Sequence, residues 1–316
     1  MSFAIVFPGQ GSQCLGMLKE LNQEFSQVKE TFWEASEALG YDLWQIAQEG
    51  PLEKLDKTEY TQPILLAADI AVWRCWQALE GPLPSIAAGH SLGEYAALVC
   101  AQALNFKSAI KLVAKRARYM QHAVPENIGA MAAIIGLDEK LVSEICHSAA
   151  EDQVVSPANL NAIGQTVIAG HSEAVDRALE LAKSHGAKIA KKIPVSVPSH
   201  CILMQPAALS LAEDLKNVHI DKPIITVIHN FDAKIHSDPG AIKQVIVEQL
   251  VSPVRWVETI QKIASLPIKV VIECGPGRVL SGLIKRITHE LNTYHVSDLN
   301  QLNQALSELR GVVTCS

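Results

Sequence analysis

The chain has no pair of cysteines at CxxC spacing. Its seven cysteines (Cys14, Cys75, Cys100, Cys146, Cys201, Cys274 and Cys315) are scattered and odd in number. That argues against a disulfide framework and a structural zinc site, and leaves reduced, mostly buried thiols. Nor is there an excess of positive charge. The 27 Lys and Arg against 33 Asp and Glu give a net charge of −6, which provides no field to attract a nucleic acid or an anionic membrane. No apolar run reaches the ~18 residues of a membrane span; the best, "QPILLAADIAVWRCW", is broken by Asp69 and Arg74. It reads instead as a buried helix, with Ile64, Ala68, Val72, Cys75 and Leu79 at helical spacing and Thr61 as its cap. The opening "MSFAIVFPGQGSQ" lacks the basic segment of a signal peptide. Low-complexity tracts and internal repeats are also missing. The expectation is a cytoplasmic protein whose partners include no nucleic acid, membrane or metal.

What is present is an alternation of strand-like runs and helical patterns, the mark of an α/β fold with parallel strands. "FAIVF" (Phe3 to Phe7), "SIAAG" (Ser85 to Gly89), "IITVIHN" (Ile224 to Asn230) and "IKVVIECG" (Ile268 to Gly275) are nearly continuous apolar runs, as in strands covered on both faces. The middle of the chain differs. "GAMAAIIGL" reads as a strand, "DEKLVSEICHSAA" as a helix, "VVSPANL" and "QTVIAG" as two strands, His171 to His185 as a helix and "AKIAKKIPV" as a strand. The order βαββαβ is ferredoxin-like. Residues 128–197 are therefore expected to form a small domain inserted into a larger α/β domain of residues 1–127 and 198–316; the alternative is one continuous sheet.

"AGHSLGEYAALV" places Ser91 between Gly89 and Gly93. GxSxG is common as a pattern, and a solvated loop serine is its ordinary meaning. Here it lies between a strand and a helix, the setting of a nucleophile elbow. The helix N-terminus favours developing negative charge, and the Leu92 amide is a natural oxyanion donor. A second donor is expected from another strand-following loop, and "FPGQGSQ" offers Gly9, Gln10 and Gly11. That segment lacks the lysine and spacing of a phosphate-binding loop. "CGPGRVL" reads as a tight structural turn.

Ser91 needs a base. His90 adjoins it, but in a strand-to-helix turn its side chain should point elsewhere. Among eleven histidines, His200 in "VPSHCILM" is best placed, where the chain returns from the inserted unit. A carboxylate to orient it is missing. Between Ser91 and His200, every acid except Glu94 and Glu126 falls within the insertion. A backbone carbonyl is the expected substitute, which makes a dyad. A cation-rich helix, "KLVAKRARYMQHAVP", could turn one arginine into the cleft to bind a carboxylate; the pattern leaves Arg116 and Arg118 open.

Taken together, "FPGQGSQ", "GHSLGEYAAL", "KRARYMQ", "GAMAAIIGL", "VSPANLN", "VPSHC", "QLVSPVRW" and "GPGRVL" closely resemble the malonyl-CoA:acyl carrier protein transacylases. The resemblance implies a hydrolase-like parallel-sheet large domain carrying the ferredoxin-like insertion. It implies Ser91 as the malonylated nucleophile, His200 as general base and Arg116 as the partner of the malonyl carboxylate. The amides of Gln10 and Leu92 match the oxyanion hole, and Gln249 resembles the residue whose backbone carbonyl orients the histidine. Leu92 in GHSLG is similar to malonyl-selective members. The implied partners are malonyl-CoA and holo acyl carrier protein, with no cofactor and a monomeric chain. The rival readings are a serine esterase or thioesterase and a non-catalytic docking scaffold.

Overall fold

The computed structural model describes residues 2–125, 127–195 and 197–311; Glu126 and Cys315 lie outside them. Among the described residues there are nine strands: Phe3–Phe7 (β1), Ile86–Gly89 (β2), Gly129–Ile135 (β3), Val155–Ala162 (β4), Gln165–His171 (β5), Ile189–Lys192 (β6), Thr226–Ile228 (β7), Val270–Cys274 (β8) and Asn292–Val296 (β9). They form two separate sheets, not one continuous sheet.

The larger sheet is wholly parallel, in the order β7-β2-β1-β8-β9. Every residue of β1, β2 and β8 is buried, because helices cover both faces and leave no side of these strands to water. The helix Thr58–Ala78 is buried along most of its length. It begins three residues before Thr61, with Lys57 at its N-cap, so the expected cap at Thr61 is incorrect. The Thr61 hydroxyl instead donates inside the first turn, to the carbonyls of Leu55 and Lys57. Among the described residues no helix is long and apolar enough to cross a membrane. Six cysteines are free thiols, five of them buried.

The smaller sheet is antiparallel, in the order β4-β5-β3-β6, the ferredoxin-like arrangement. Strand alternation splits its apolar residues. Ala132, Ile134 and Ile168 meet the helices Glu139–Ala150 and Ser172–Ser184, whereas Met131, Val167 and Ala169 turn the other way and pack with Cys201. β4 is also joined to the segment before the helix Trp256–Ala264. Leu160 N–H donates to the Val254 carbonyl and Val254 N–H to the Ala158 carbonyl, both at 2.9 Å.

The loops after β1, β2, β7 and β8 emerge at one edge of the parallel sheet, the carboxyl edge where α/β proteins place their sites. Glycines make that edge compact. A Cβ on Gly89 would lie 1.9 Å from the Gly93 carbonyl carbon, and one on Gly93 would lie 2.1 Å from the Phe7 oxygen. The turn after β8 is structural: Glu273 accepts the N–H groups of Leu280 and Ser281 at 2.8 and 2.7 Å and so caps the next helix.

Gly89→Ala is expected to cost about 3 kcal/mol or more, since its contact is with backbone that cannot rotate away. Gly282→Ala, on a helix with no atom within 4 Å of the added methyl, should gain about 0.5–1 kcal/mol. Urea unfolding of both variants checks this; a Gly89→Ala midpoint equal to the parent's would contradict it.

Candidate active site

Ser91 occupies the turn between β2 and the helix Gly93–Cys100, with φ of 52°. A side chain in that left-handed region is strained, and the surroundings must hold it there. Ser91 N–H donates to Asn230 Oδ1 at 2.6 Å, and Asn230 Nδ2 donates to the Gly89 carbonyl at 2.7 Å. On the other side, Gln249 Nε2 donates to the Ser91 carbonyl at 3.0 Å. The backbone N–H and carbonyl of Ser91 are thus engaged, and Oγ projects into a cleft. That cleft is lined by Gln10, Gln62, Leu92, Arg116, Asn159 and His200, among others.

His200 Nε2 accepts from the Ser91 hydroxyl at 2.7 Å. Nδ1–H donates to the Gln249 carbonyl at 2.7 Å, which leaves Nε2 as the free lone pair. This carbonyl is available for a physical reason. Gln249 is the C-cap of the helix Pro239–Glu248, and the last carbonyls of a helix have no intrahelical donor. They also carry the negative end of the helix dipole, which favours a histidine becoming positive. Among the described residues no acid hydrogen-bonds His200, and a backbone carbonyl stands where a carboxylate would in a triad. The imidazole is buried, and burial, followed by the Arg116 charge, depresses its pKa to about 3.

Arg116 and Arg118 take opposite faces of the helix Phe106–Ala123. Arg118 is exposed. Arg116 is 1% exposed and turns into the cleft. Its Nη1 donates to Gln62 Oε1 at 2.6 Å, and its Nη2 to Gln249 Oε1 at 3.0 Å and Ser91 Oγ at 3.3 Å. The guanidinium also lies over the Tyr95 ring, 5.5 Å from its centre. Every one of these partners is neutral. Burial lowers the Arg116 pKa, with the nearby Glu94 charge acting the other way, yet a guanidinium stays charged, so the cleft contains a dehydrated cation that, among the described residues, no carboxylate hydrogen-bonds.

Gln10 and Leu92 both line the cleft. Among the described residues their backbone N–H groups donate to no protein acceptor, whereas the neighbouring Ser91 and Gly93 amides are used. His90 also borders the cleft but makes no hydrogen bond to Ser91. Its Nε2 pairs with Asn161 Oδ1 at 2.8 Å, and its ring meets Trp256 edge-on.

Sequence reasoning missed Gln62, His229 and Asn230. Gln62 stands out only as a polar residue opening an apolar helix. Asn230 follows the apolar run "IITVIH", at the sheet edge where functional groups collect. β7 stops at Ile228, two residues short of the expected strand end at Asn230, because His229 and Asn230 leave it to meet Glu94. His229 Nδ1–H donates to Glu94 Oε1 at 2.8 Å, and Asn230 N–H to Oε2 at 3.0 Å.

Comparison with known proteins agrees with this architecture. Residues 4–305 match the model of the acyl transferase domain family. The chain is 51% identical over 306 residues to the malonyl CoA-acyl carrier protein transacylase of Salmonella typhimurium, covering 97% of this chain and 99% of that one. The solved malonyl CoA-acyl carrier protein transacylase from Coxiella burnetii superimposes with a TM-score of 0.97 at 58% identity, covering 98% of each chain. A malonyl-transacylase solved in complex with its type II PKS acyl-carrier protein superimposes with a TM-score of 0.96 at 52% identity, covering 98% of this chain and 100% of that one. A family model spanning nearly the whole chain, over a fold of the same shape, makes this protein a member of the acyl transferase domain family.

Proposed function

We propose that this protein is a serine-dependent transferase that moves a malonyl group from malonyl-CoA to the phosphopantetheine thiol of an acyl carrier protein, for fatty acid synthesis. The observation that carries the reading is the position of Arg116: a buried cation with only neutral partners, 3.3 Å from the Ser91 oxygen. An acyl group ending in methyl would leave that charge unanswered. One ending in carboxylate would pair with it and set its thioester carbon against Oγ. The relatives named for malonyl transfer, one of them solved with a carrier protein, support the same reading.

The steps follow from the geometry. His200 Nε2 takes the Ser91 proton as Oγ bonds to the thioester carbon. The oxyanion forms against the free amides of Gln10 and Leu92, each worth about 3 kcal/mol in the transition state. The carbon–sulfur bond breaks, and the proton on His200 passes to the departing CoA thiolate. Malonyl-Ser91 remains. The carrier thiol then gives its proton to His200, sulfur bonds to the carbonyl carbon, the ester bond to Oγ breaks, and the proton returns to Ser91. No step needs a cofactor. We take the working form to be a cytoplasmic monomer divided into the two domains set out above (residues 1–127 with 198–316, and 128–197). A serine esterase would give the acyl group to water, but the buried cation suits a dicarboxylic acyl chain and the relatives are transferases.

Four outcomes are expected. Brief incubation with malonyl-CoA should leave a malonyl adduct on Ser91, readable by mass spectrometry and lost in Ser91→Ala. CoA should then be released quickly only once holo carrier protein is added; equally fast release without it would mean hydrolysis. Arg116→Ala should lower the malonylation rate and the preference for malonyl over acetyl by about a hundredfold; unchanged selectivity would remove Arg116 from its role. The fourth concerns pH. The base must be neutral, and His200 is held well below the ordinary histidine value of 6.5. Ser91 acylation should therefore persist below pH 6.5 and fail only as the depressed pKa is approached. Arg116→Ala removes a nearby positive charge and should shift that acid limb upward. A parent limb at the ordinary histidine pKa would contradict the assignment.

A further inference from the structure

Glu94 lies three residues after Ser91, fully buried on the helix Gly93–Cys100. Its hydrogen bonds go to neither Ser91 Oγ nor His200. Oε1 accepts His229 Nδ1–H at 2.8 Å, while Oε2 accepts Asn230 N–H at 3.0 Å and Gln249 Nε2–H at 2.7 Å. A carboxylate offers only acceptors, and all three donors point at it.

Gln249 is where these contacts meet the reacting groups. Its backbone carbonyl accepts from His200 Nδ1, its Oε1 accepts from Arg116 Nη2, and its Nε2 donates to the Ser91 carbonyl and to Glu94. One residue thus contacts nucleophile, base and cation together. A carboxamide can sit two ways round. Reversed, its N–H groups would face the guanidinium and its oxygen would face both the Ser91 carbonyl and the Glu94 carboxylate. Glu94 therefore selects the orientation that gives Arg116 an acceptor, and it holds the residue whose carbonyl aims His200.

We propose that Glu94 is a positioning residue for the transfer reaction: through Gln249 it fixes the His200 imidazole and the Arg116 fork at once. It does the work of a triad acid from one residue away. The proposal rests on the reading of Ser91, His200 and Arg116 given above. A purely structural Glu94 would tie the Asn230 loop to its helix and change stability alone.

The test uses the full-length Glu94→Ala, Glu94→Asp and Glu94→Gln proteins. Single-turnover malonylation and acetylation of Ser91 are followed by intact mass, per active site titrated with a fluorophosphonate, and folding is followed by thermal unfolding. Glu94→Ala should slow malonylation by about tenfold to a hundredfold, because small misplacements of reacting groups cost that much. It should also lower the malonyl-to-acetyl ratio by about tenfold, since Arg116 loses its anchor with His200. Glu94→Asp withdraws the carboxylate from Gln249 and should lower the ratio in the same direction. Glu94→Gln should rescue the ratio. Its oxygen can stay where Oε2 accepts from Gln249, and its N–H can face His229 in the other tautomer. If Glu94→Ala does not fold, Glu94→Asp decides. A folded Ala or Asp variant with the parent's ratio overturns the proposal, as does failure of Gln to rescue. If the parent itself forms no malonyl adduct, the functional reading fails instead; if the parent is labelled and the ratio does not move, only the Glu94 assignment fails.

Discussion

One hydrogen bond organises the cleft: His200 Nδ1–H to the Gln249 carbonyl, 2.7 Å long. It fixes the tautomer, so the other nitrogen must accept, and Ser91 is there to donate. In hydrolases of the elbow type that place belongs to a carboxylate. Here a neutral carbonyl at a helix C-terminus holds it, which suits the rest of the site. A full negative charge beside His200 would raise its pKa and would also attract Arg116. With a carbonyl there, the cation remains unpaired and available to an anionic acyl group.

The cost of this arrangement is borne by the surroundings. Ser91 and His200 both sit at positive φ, at 52° and 64°, and a buried guanidinium donates hydrogen bonds only to two side-chain amides and a hydroxyl. A polar network whose members share partners can hold such strain because each member leaves the others little alternative. Asn230 pins the elbow, Gln249 joins it to the base and the cation, and β1 closes against Gly93 from below. The smaller sheet completes the cleft with Met131, Asn159 and the chain after β6. A cleft walled by both sheets narrows access for water around an acyl-serine, as a transferase requires.

Much of this was legible in the sequence because it is written in local patterns. Apolar runs ending in glycine mark strands that feed turns, and the change of rhythm near residue 128 marks the second sheet. Ser91 is identified by its neighbours, and His200 by the return of the chain. The Leu92 amide follows from the elbow itself, whereas the choice of Gln10 over its glycine neighbours, of Arg116 and of Gln249 rests on resemblance, since helical spacing alone treats Arg116 and Arg118 alike; only the packing of that helix turns one inward. What stayed hidden is long-range and polar. Gln62, His229 and Asn230 meet their partners across more than fifty residues of sequence, and no period or spacing encodes that. Thr61 was misread because a hydroxyl before an apolar helix resembles a cap, although the helix had already begun. Glu94 was noticed only as an acid outside the insertion.

The central claim is that a lone buried cation, placed beside an activated serine, selects an acyl group with a free carboxylate. The most direct measurement compares the rate of Ser91 acylation by malonyl-CoA with that by its terminal methyl ester, which keeps the thioester and replaces the charged terminus with a neutral one larger by a methyl group. The account predicts a rate lower by on the order of a hundredfold or more for the ester. Equal rates for the two would contradict it.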